Sequence, residues 1–137
     1  MAAGQESQFV IFGQPRTPQT KSQKSRNDWK VRCQTAALDA YPNLSPSENE
    51  FSVRMTHFHW AESIIDVDNI IKPILDACNG LFWWDDNQVT EVQARKTRIL
   101  NGFIALNPSS VLARALLEEL EFVWVRVSGP PNHEEVG

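Results

Sequence analysis

The segment from Phe51 to Ile99 constrains the fold more than any other part of the chain, because a helix pattern lies there between two strand patterns. In the first strand pattern, residues 51–59, apolar and histidine side chains alternate with more polar ones, which is typical of a half-buried strand. The helix pattern runs from Asp66 to Asn79 and carries isoleucine and leucine at helical spacing. The second strand pattern, Val89–Ile99, alternates only in part. These patterns favour a sheet with helices packed on it.

Weaker patterns on either side add further elements. Three more strands and two more helices are predicted, at Gln8–Phe12, Gly102–Leu106 and Phe122–Val127 for the strands and at Asp28–Ala40 and Ser109–Leu120 for the helices. The resulting order, β-α-β-α-β-β-α-β, predicts a single α+β domain spanning residues 1–137, with a mixed sheet and helices packed on it. Residues 1–7 and 129–137 are predicted to be disordered tails.

The composition excludes several classes of protein. With 137 residues and 42% hydrophobic side chains, the chain can bury a core without metal or disulfide staples. Only two cysteines are present, Cys33 and Cys78, which excludes a disulfide framework. No apolar run approaches the roughly 20 residues that a membrane-spanning helix needs. The first residues, MAAGQESQ, lack the basic start and apolar centre of a signal peptide. We therefore expect a cytoplasmic protein with no membrane partner.

Positive charge is concentrated in one segment, although the whole chain has a formal net charge of −4. Residues 16–32 contain one acidic residue, Asp28, and the basic residues Arg16, Lys21, Lys24, Arg26, Lys30 and Arg32. Such an asymmetry is typical of a nucleic-acid contact, in which lysine and arginine neutralise phosphates. It is equally compatible with a solvated loop, and the composition does not decide between the two.

Two pairs of acidic residues flank the central helix pattern. Asp66 and Asp68 lie at its start, and Asp85 and Asp86 follow its end and a short apolar run, LFWW. If this run brings the second pair back towards the first, the carboxylates need a cation, and all-oxygen ligands favour Mg²⁺ or Mn²⁺. Such a site suits phosphodiester hydrolysis. The alternative is structural: Asp66 caps the helix, and Asp85 and Asp86 form a turn.

Other groups near these acids have both a chemical and a structural interpretation. Lys72 lies four residues after Asp68, where it can stabilise charge on a phosphate or simply pair with Asp76. His57 and His59 share a strand face, but the sequence offers no clear third and fourth zinc ligand. The aromatic residues of the LFWW run can stack on bases, although such a run more often belongs to a core or a subunit interface.

A series of short motifs between residues 66 and 96 forms a linked pattern. It reads Asp66-Val67-Asp68-Asn69, then Lys72, then Leu75-Asp76-Ala77-Cys78-Asn79-Gly80, and then Asp85-Asp86-Asn87-Gln88-Val89. A basic residue, Lys96, ends the strand that follows, and the first strand ends in a Gly13-Gln14-Pro15 turn. Each motif alone is weak, but the combination resembles the RusA-like Holliday-junction resolvases, the crossover junction endodeoxyribonucleases.

The resemblance implies an activity and a set of residues. It implies a small α+β homodimer, bacterial or phage-encoded, that places paired nicks in four-way junctions or related branched DNA during recombination and repair. It implies Mg²⁺ or Mn²⁺ as the cofactor, Asp66, Asp68 and Asp86 as catalytic metal ligands with Asp85 beside them, and Lys72 as a catalytic lysine. DNA contacts are expected from Lys96, by the same resemblance, and from the six basic residues of segment 16–32, by their charge.

The chain departs from the family pattern in two places. The best-known members carry a basic run just before the D-x-D motif, whereas residues 60–65 read WAESII here, with no positive charge. In addition, the helical segment Ser109–Leu120 precedes the last strand. Two alternatives therefore remain open. One is a catalytically weak or inactive DNA-binding module of the same fold, and the other is a phosphatase built on the D-x-D motif, to which Asn69 is poorly suited.

Overall fold

The computed structural model describes residues 6–16, 21–60, 62–99 and 108–135 of the chain. Its helices and strands are, in order, β1 (Glu6–Phe12), α1 (Gln23–Ala40), β2 (Phe51–His59), α2 (Ile71–Cys78), β3 (Val89–Arg98), α3 (Ser110–Leu117) and β4 (Phe122–Ser128). Two short 3₁₀ helices, Val67–Ile70 and Asp86–Gln88, lead into α2 and β3. None of the described helices has the length and apolar character that crossing a membrane requires.

The described strands form one mixed sheet in the order β1-β4-β2-β3. β4 pairs antiparallel with both β1 and β2, whereas β2 and β3 are parallel. The connection between the two parallel strands contains the first 3₁₀ helix and α2. The two acid pairs therefore lie at the start and at the end of one β-α-β connection. The predicted α+β domain with a mixed sheet is confirmed.

One face of the sheet is covered by α1 and α2. On α1, the side chains of Trp29, Cys33 and Ala37 follow one another at four-residue spacing and are buried against the sheet. Ile74 and Leu75 of α2 join the same core. The residues of β2 predicted to share this face are all buried: Phe51, Val53, Met55, His57 and His59. Most of the hydrophobic core lies on this face, and packing against it determines the positions of α1 and α2.

The opposite face of the sheet carries a smaller core under α3. Phe58 of β2 and Phe122 of β4 stack with their ring centroids 4.8 Å apart, and Leu112 and Ala115 of α3 pack on them. The end of β2 is thus buried on both faces, whereas the sequence pattern predicted a half-buried strand. The predicted helix before the last strand is confirmed, and it is part of the packing of this face.

Two element boundaries differ from the predictions. β1 begins at Glu6, which pairs with Ser128, so the last residues of the predicted tail 1–7 belong to a strand. α1 begins at Gln23 rather than Asp28, because the Ser22 side chain accepts a hydrogen bond from the Ser25 N–H and caps the helix earlier. The predicted strand at residues 102–106 lies outside the described residues.

The helix predicted from Asp66 is divided into a 3₁₀ turn followed by α2. Pro73 accounts for the division, since it has no N–H for a helical bond to Asn69 and its ring crowds that carbonyl. A tighter turn before Pro73 avoids this conflict. Asp66 occupies the N-cap position of the 3₁₀ turn, as predicted, but its side chain makes no capping hydrogen bond.

Candidate active site

Asp66 and Asp68 lie at the start of the β2–β3 connection. Asp66 has an extended backbone just before the first 3₁₀ helix, and Asp68 lies in the first turn of that helix. Both residues are exposed, and neither side chain has a hydrogen bond or ion pair to a described residue. Two carboxylates one residue apart are therefore open to a ligand from solvent.

The loop after α2 turns the chain back towards the second acid pair. Asn79 ends α2, and its side-chain oxygen accepts a hydrogen bond from Trp83 Nε1 at 2.8 Å. Gly80 follows with a φ of +82°, a left-handed conformation that glycine adopts without strain. The Gly80 N–H donates to the Trp83 carbonyl at 2.7 Å, which closes the turn. The Asn-Gly pair of the motif thus has a direct structural role.

Gln88 fixes the loop that carries Asp85 and Asp86. Its side-chain oxygen accepts from the N–H groups of Trp84 and Asp85, at 2.9 and 3.1 Å. Its side-chain nitrogen donates to the carbonyls of Ser47 and Asn49, both at 2.8 Å. One side chain therefore ties the acidic loop to the segment that precedes β2.

Asp85 and Gln88 form a capping box at the start of the second 3₁₀ helix. The Asp85 carboxylate accepts from the Asn87 N–H at 3.0 Å while Gln88 bonds back to the Asp85 N–H. The structural interpretation is thus correct for Asp85. Asp86 is the residue of the pair whose carboxylate is turned towards α2.

We predict that Gln88→Ala lowers the free energy of unfolding by about 1–3 kcal/mol, because four backbone groups lose their partner. Asn87→Ala is the matched control, since Asn87 is exposed in the same turn. Urea unfolding of both variants measures the difference. Equal stabilities for the two variants would contradict the role given to Gln88.

Lys72 connects the second acid pair to α2. Its ammonium lies 2.6 Å from Asp86 Oδ2 and 3.0 Å from Asp76 Oδ1. The ion pair with Asp76 is the one that the structural interpretation of Lys72 predicted. The contact with Asp86 was not predicted. Lys72 lies in the first turn of α2, four residues after Asp68. The fold therefore brings Asp86 to the end of α2 that follows the D-x-D motif.

The ion pair between Lys72 and Asp86 stabilises the charged forms of both groups. The hydrogen bonds that Lys72 donates to Asp86 and, with less effect, to Asp76 raise the pKa of the Lys72 ammonium above its usual range. The bond from Lys72 lowers the pKa of the Asp86 carboxyl. Since Lys72 is 61% exposed, water screens these pairs, and their contribution to stability is small. At neutral pH the site therefore presents the Lys72 cation beside the ionised Asp86 carboxylate.

The three predicted metal ligands form an all-carboxylate donor set. Asp66, Asp68 and Asp86 offer only carboxylate oxygens, which Mg²⁺ and Mn²⁺ prefer. Within the described part of the chain, no three His, Cys, Asp or Glu side chains lie close enough together to hold a metal ion. The partner of Asp86 in this structure is the Lys72 ammonium. The chemistry of the donors thus fits a divalent cation, and binding one requires that Asp86 exchange or share its lysine partner.

Part of the basic segment lies beside Lys72. A cleft of about 250 Å³ lies where the first turns of α1 approach α2. The residues lining it are Arg16, Arg26, Asn27, Trp29, Lys30, Lys72, Pro73 and Asp76. Three of the six basic residues of segment 16–32 therefore share one cleft with the predicted catalytic lysine.

The other basic residues of segment 16–32 are placed differently. Lys24 pairs with Asp28 at 3.1 Å on the exposed side of α1, and Lys21 is exposed just before the helix. Arg32 donates to the Phe12 carbonyl, and its guanidinium lies where a side chain on Gly13 would be. Arg32 thus ties α1 to the end of β1, a structural role that the charge pattern did not predict.

The end of β3 places two cations, Lys96 and Arg98, beside residues 60–65, the linker that carries no positive charge of its own. Lys96 Nζ donates to the Ser63 carbonyl at 3.3 Å, and Arg98 pairs with Glu62 at 3.0 Å. Both residues follow the β3 face that is shared with the β2 histidines. Lys96 was predicted as a DNA contact, whereas Arg98 was missed. The position of Arg98 follows from the register of β2 against β3, which pairs it with His59. No local signal in the sequence indicates that position.

His57 is fully buried at the same end of the sheet. Its Nε2 lies 2.6 Å from a Glu121 carboxylate oxygen, and its Nδ1 has no partner. Burial, the largest cause, lowers the pKa of His57 and outweighs the hydrogen bond and charge of Glu121, which raise it; the charges of His59 and Lys96 lower it further. A neutral ring that donates through Nε2 fits this environment, because protonation would bury an unpaired Nδ1–H. The structure thus gives His57 a core role.

We predict that stability falls as the pH drops below 6.5, the ordinary His pKa. The unfolded chain then binds a proton at His57, whereas the folded chain, with its lowered pKa, does not. His57→Gln should flatten the slope by up to about 1.4 kcal/mol per pH unit. Urea unfolding between pH 5 and 7.5 measures it, with His133→Gln on the exposed histidine as control. An unchanged slope in His57→Gln would refute the neutral buried ring.

The aromatic run divides between core and surface. Phe82 stacks on Phe9 with centroids 6.0 Å apart, and Trp83 packs against Phe51 at 5.5 Å. Both are buried, which confirms their interpretation as core residues. Trp84 is 62% exposed and directly precedes the capping box.

Comparison with known families points in the same direction as the motifs. The family model of endodeoxyribonuclease RusA matches residues 10–104 of the 137-residue chain. The match includes both acid pairs, Lys72 and β3, and it ends before α3 and β4. No significant match was found among curated proteins.

Proposed function

The chain belongs to the RusA endodeoxyribonuclease family, and from this premise we propose that it is a divalent-metal-dependent nuclease that nicks four-way junctions or related branched DNA. Family membership itself implies an endodeoxyribonuclease that resolves Holliday junctions. The proposal adds the metal, the residues and their roles. The observation that supports it most is the contact of Lys72 with Asp86, which brings the second acid pair to the helix that follows the D-x-D motif.

In this proposal Asp66, Asp68 and Asp86 hold the divalent ion. An ion held there would supply Lewis-acid chemistry, polarising the scissile phosphate and lowering the pKa of an attacking water. Asp66 and Asp68 are exposed and make no side-chain bond to a described residue, so none of their described contacts has to break when the ion binds. Asp85 is a secondary candidate, because part of its carboxylate is already used in the capping box.

In this proposal Lys72 is the protein side chain that places a positive charge next to the reacting phosphate. Its ammonium reaches two carboxylates and is 61% exposed, so it can turn to an oxygen of the substrate. Negative charge grows on the phosphate as water attacks, and a cation held at that position stabilises it. Asp76 keeps the lysine side chain in place when Asp86 binds the metal.

DNA binding is assigned to the cations around this site. Arg16, Arg26 and Lys30 approach it from the α1 side, and Lys96 approaches from the end of β3. Lysine and arginine that neutralise phosphates release counterions, so affinity should fall steeply with salt. These cations offer a replacement for the basic run that residues 60–65 lack.

We propose further that the active form is a homodimer. Resolution of a four-way junction requires two nicks on different strands, and two copies of the chain supply two sites. Size-exclusion chromatography with light scattering, on the chain alone and with a junction, measures the state. A single chain per junction that still makes paired nicks would contradict the dimer.

The function is tested by incubating the protein with a labelled four-way junction and a linear duplex of the same sequence, with Mg²⁺, with Mn²⁺ and with EDTA. The proposal expects paired nicks in the junction only when metal is present, and little cutting of the duplex. Binding without cutting under all conditions would favour an inactive DNA-binding module. Hydrolysis of small phosphomonoesters instead of DNA would favour a phosphatase.

A further inference from the structure

Four basic side chains line the cleft between α1 and α2. These cations come from three separate segments: Arg16 from before α1, Arg26 and Lys30 from α1, and Lys72 from α2. Among the described residues of the lining, the one carboxylate, that of Asp76, is paired with Lys72 at 3.0 Å. The cleft is therefore electropositive and suited to an anion.

We infer that this cleft binds one sugar-phosphate unit of the DNA strand, directly beside the scissile phosphate. The inference rests on the proposed function, because Lys72 belongs both to the cleft and to the proposed reaction centre. A strand whose scissile phosphate lies at Lys72 and Asp86 has its neighbouring phosphate about one nucleotide step away along the backbone. Arg26 and Lys30 line the same cleft as Lys72 and are the cations offered to that neighbouring phosphate.

The size and lining of the cleft fit a backbone unit better than a base pair. Its volume of about 250 Å³ is below the range of roughly 300–1,000 Å³ that is usual for pockets holding larger organic ligands. Pro73 gives it apolar surface, against which a deoxyribose can pack. Trp29 also lines the cleft but is 2% exposed, so it shapes the wall and offers little surface of its own.

α1 offers a matched pair of lysines for the test. Lys30 lines the cleft, whereas Lys24 lies on the exposed side of the same helix, paired with Asp28. Both are exposed, so replacement by alanine leaves the core unchanged. A difference between the two variants therefore measures position rather than charge.

The experiment measures the affinity for a labelled four-way junction in EDTA, where binding is separated from cleavage. Lys30→Ala should weaken binding by about 5–10-fold and lower the slope of log K against log salt by about 0.9, the value for one phosphate contact. Lys24→Ala should change neither by more than about twofold. Single uncharged methylphosphonates are then placed at each position around the cut site. For the wild-type protein, one position flanking the cut should weaken binding, and Lys30→Ala should be insensitive to that position.

The outcomes separate the cleft from the function. If Lys30→Ala and Lys24→Ala behave alike, or if no methylphosphonate position loses its effect in Lys30→Ala, the cleft is not a phosphate subsite. That result leaves the proposed function standing as long as the wild-type protein cuts junctions with metal. If the wild-type protein neither binds nor cuts any branched DNA, the proposed function fails and the subsite fails with it.

Discussion

Replacement of Asp68 by asparagine is expected to lower the rate of junction cleavage by more than about 100-fold while junction binding persists. Asparagine keeps the size of the side chain but removes the charge that a divalent ion needs. Even the hydrogen-bond partners of metal ligands cost roughly 10–100-fold when replaced, so a direct ligand should cost more. Binding should be unchanged or tighter, because one negative charge leaves a surface that meets phosphates.

Single-turnover cleavage in Mg²⁺ and binding in EDTA measure the two effects of Asp68→Asn separately. Asp39→Asn is the control, since it makes the same change at an exposed acid on the part of α1 that faces β1. Retention of full cleavage in Asp68→Asn would refute the assignment of this carboxylate. Loss of cleavage in both variants would point to a general effect of charge.

Replacement of Lys72 by methionine is expected to lower the cleavage rate by about 10²–10³-fold with little loss of stability. The rate falls because the growing charge on the phosphate loses its cation. Stability changes by no more than about 1 kcal/mol, since the ion pairs of Lys72 are exposed to water. Single-turnover cleavage and urea unfolding measure the two quantities.

Two variants show whether Lys72 acts on the substrate or only on its protein partners. Lys24→Met removes a lysine with the same i,i+4 pairing on α1, to Asp28, and should cut at nearly the wild-type rate. Asp76→Asn removes one partner of Lys72 and leaves the cation in place, so it should cost far less than Lys72→Met. Equal losses from Asp76→Asn and Lys72→Met would mean that the α2 ion pair alone accounts for the effect.

The regular parts of the fold could be predicted because local patterns determine them. The alternation of β2 in the sequence matches its burial over residues 51–56, and the Ser109 side chain caps α3. The earlier start of α1 was missed because its cap, Ser22, lies within a polar stretch that was interpreted as a loop. Phe58 was assigned to the polar face because the helix that covers it is encoded more than 50 residues later.

The site could be predicted as a set of residues but not as a geometry. The capping box of Asp85 and Gln88 has a local signal, an acid followed three residues later by glutamine, which was not used. The contact between Lys72 and Asp86 has no local signal. It depends on the path of the loop, which Asn79, Gly80 and Gln88 fix through contacts with distant backbone. Likewise, charge alone did not separate Lys30, in the cleft, from Arg32, which is bound to β1.

The most direct test of the account is a crystal structure of the protein soaked in Mn²⁺, with the ion located by its anomalous scattering. The account predicts an ion within about 2.2 Å of carboxylate oxygens from Asp66, Asp68 and Asp86, with Lys72 turned away from Asp86. An ion bound elsewhere, or none at this position with Lys72 still paired to Asp86, would contradict it.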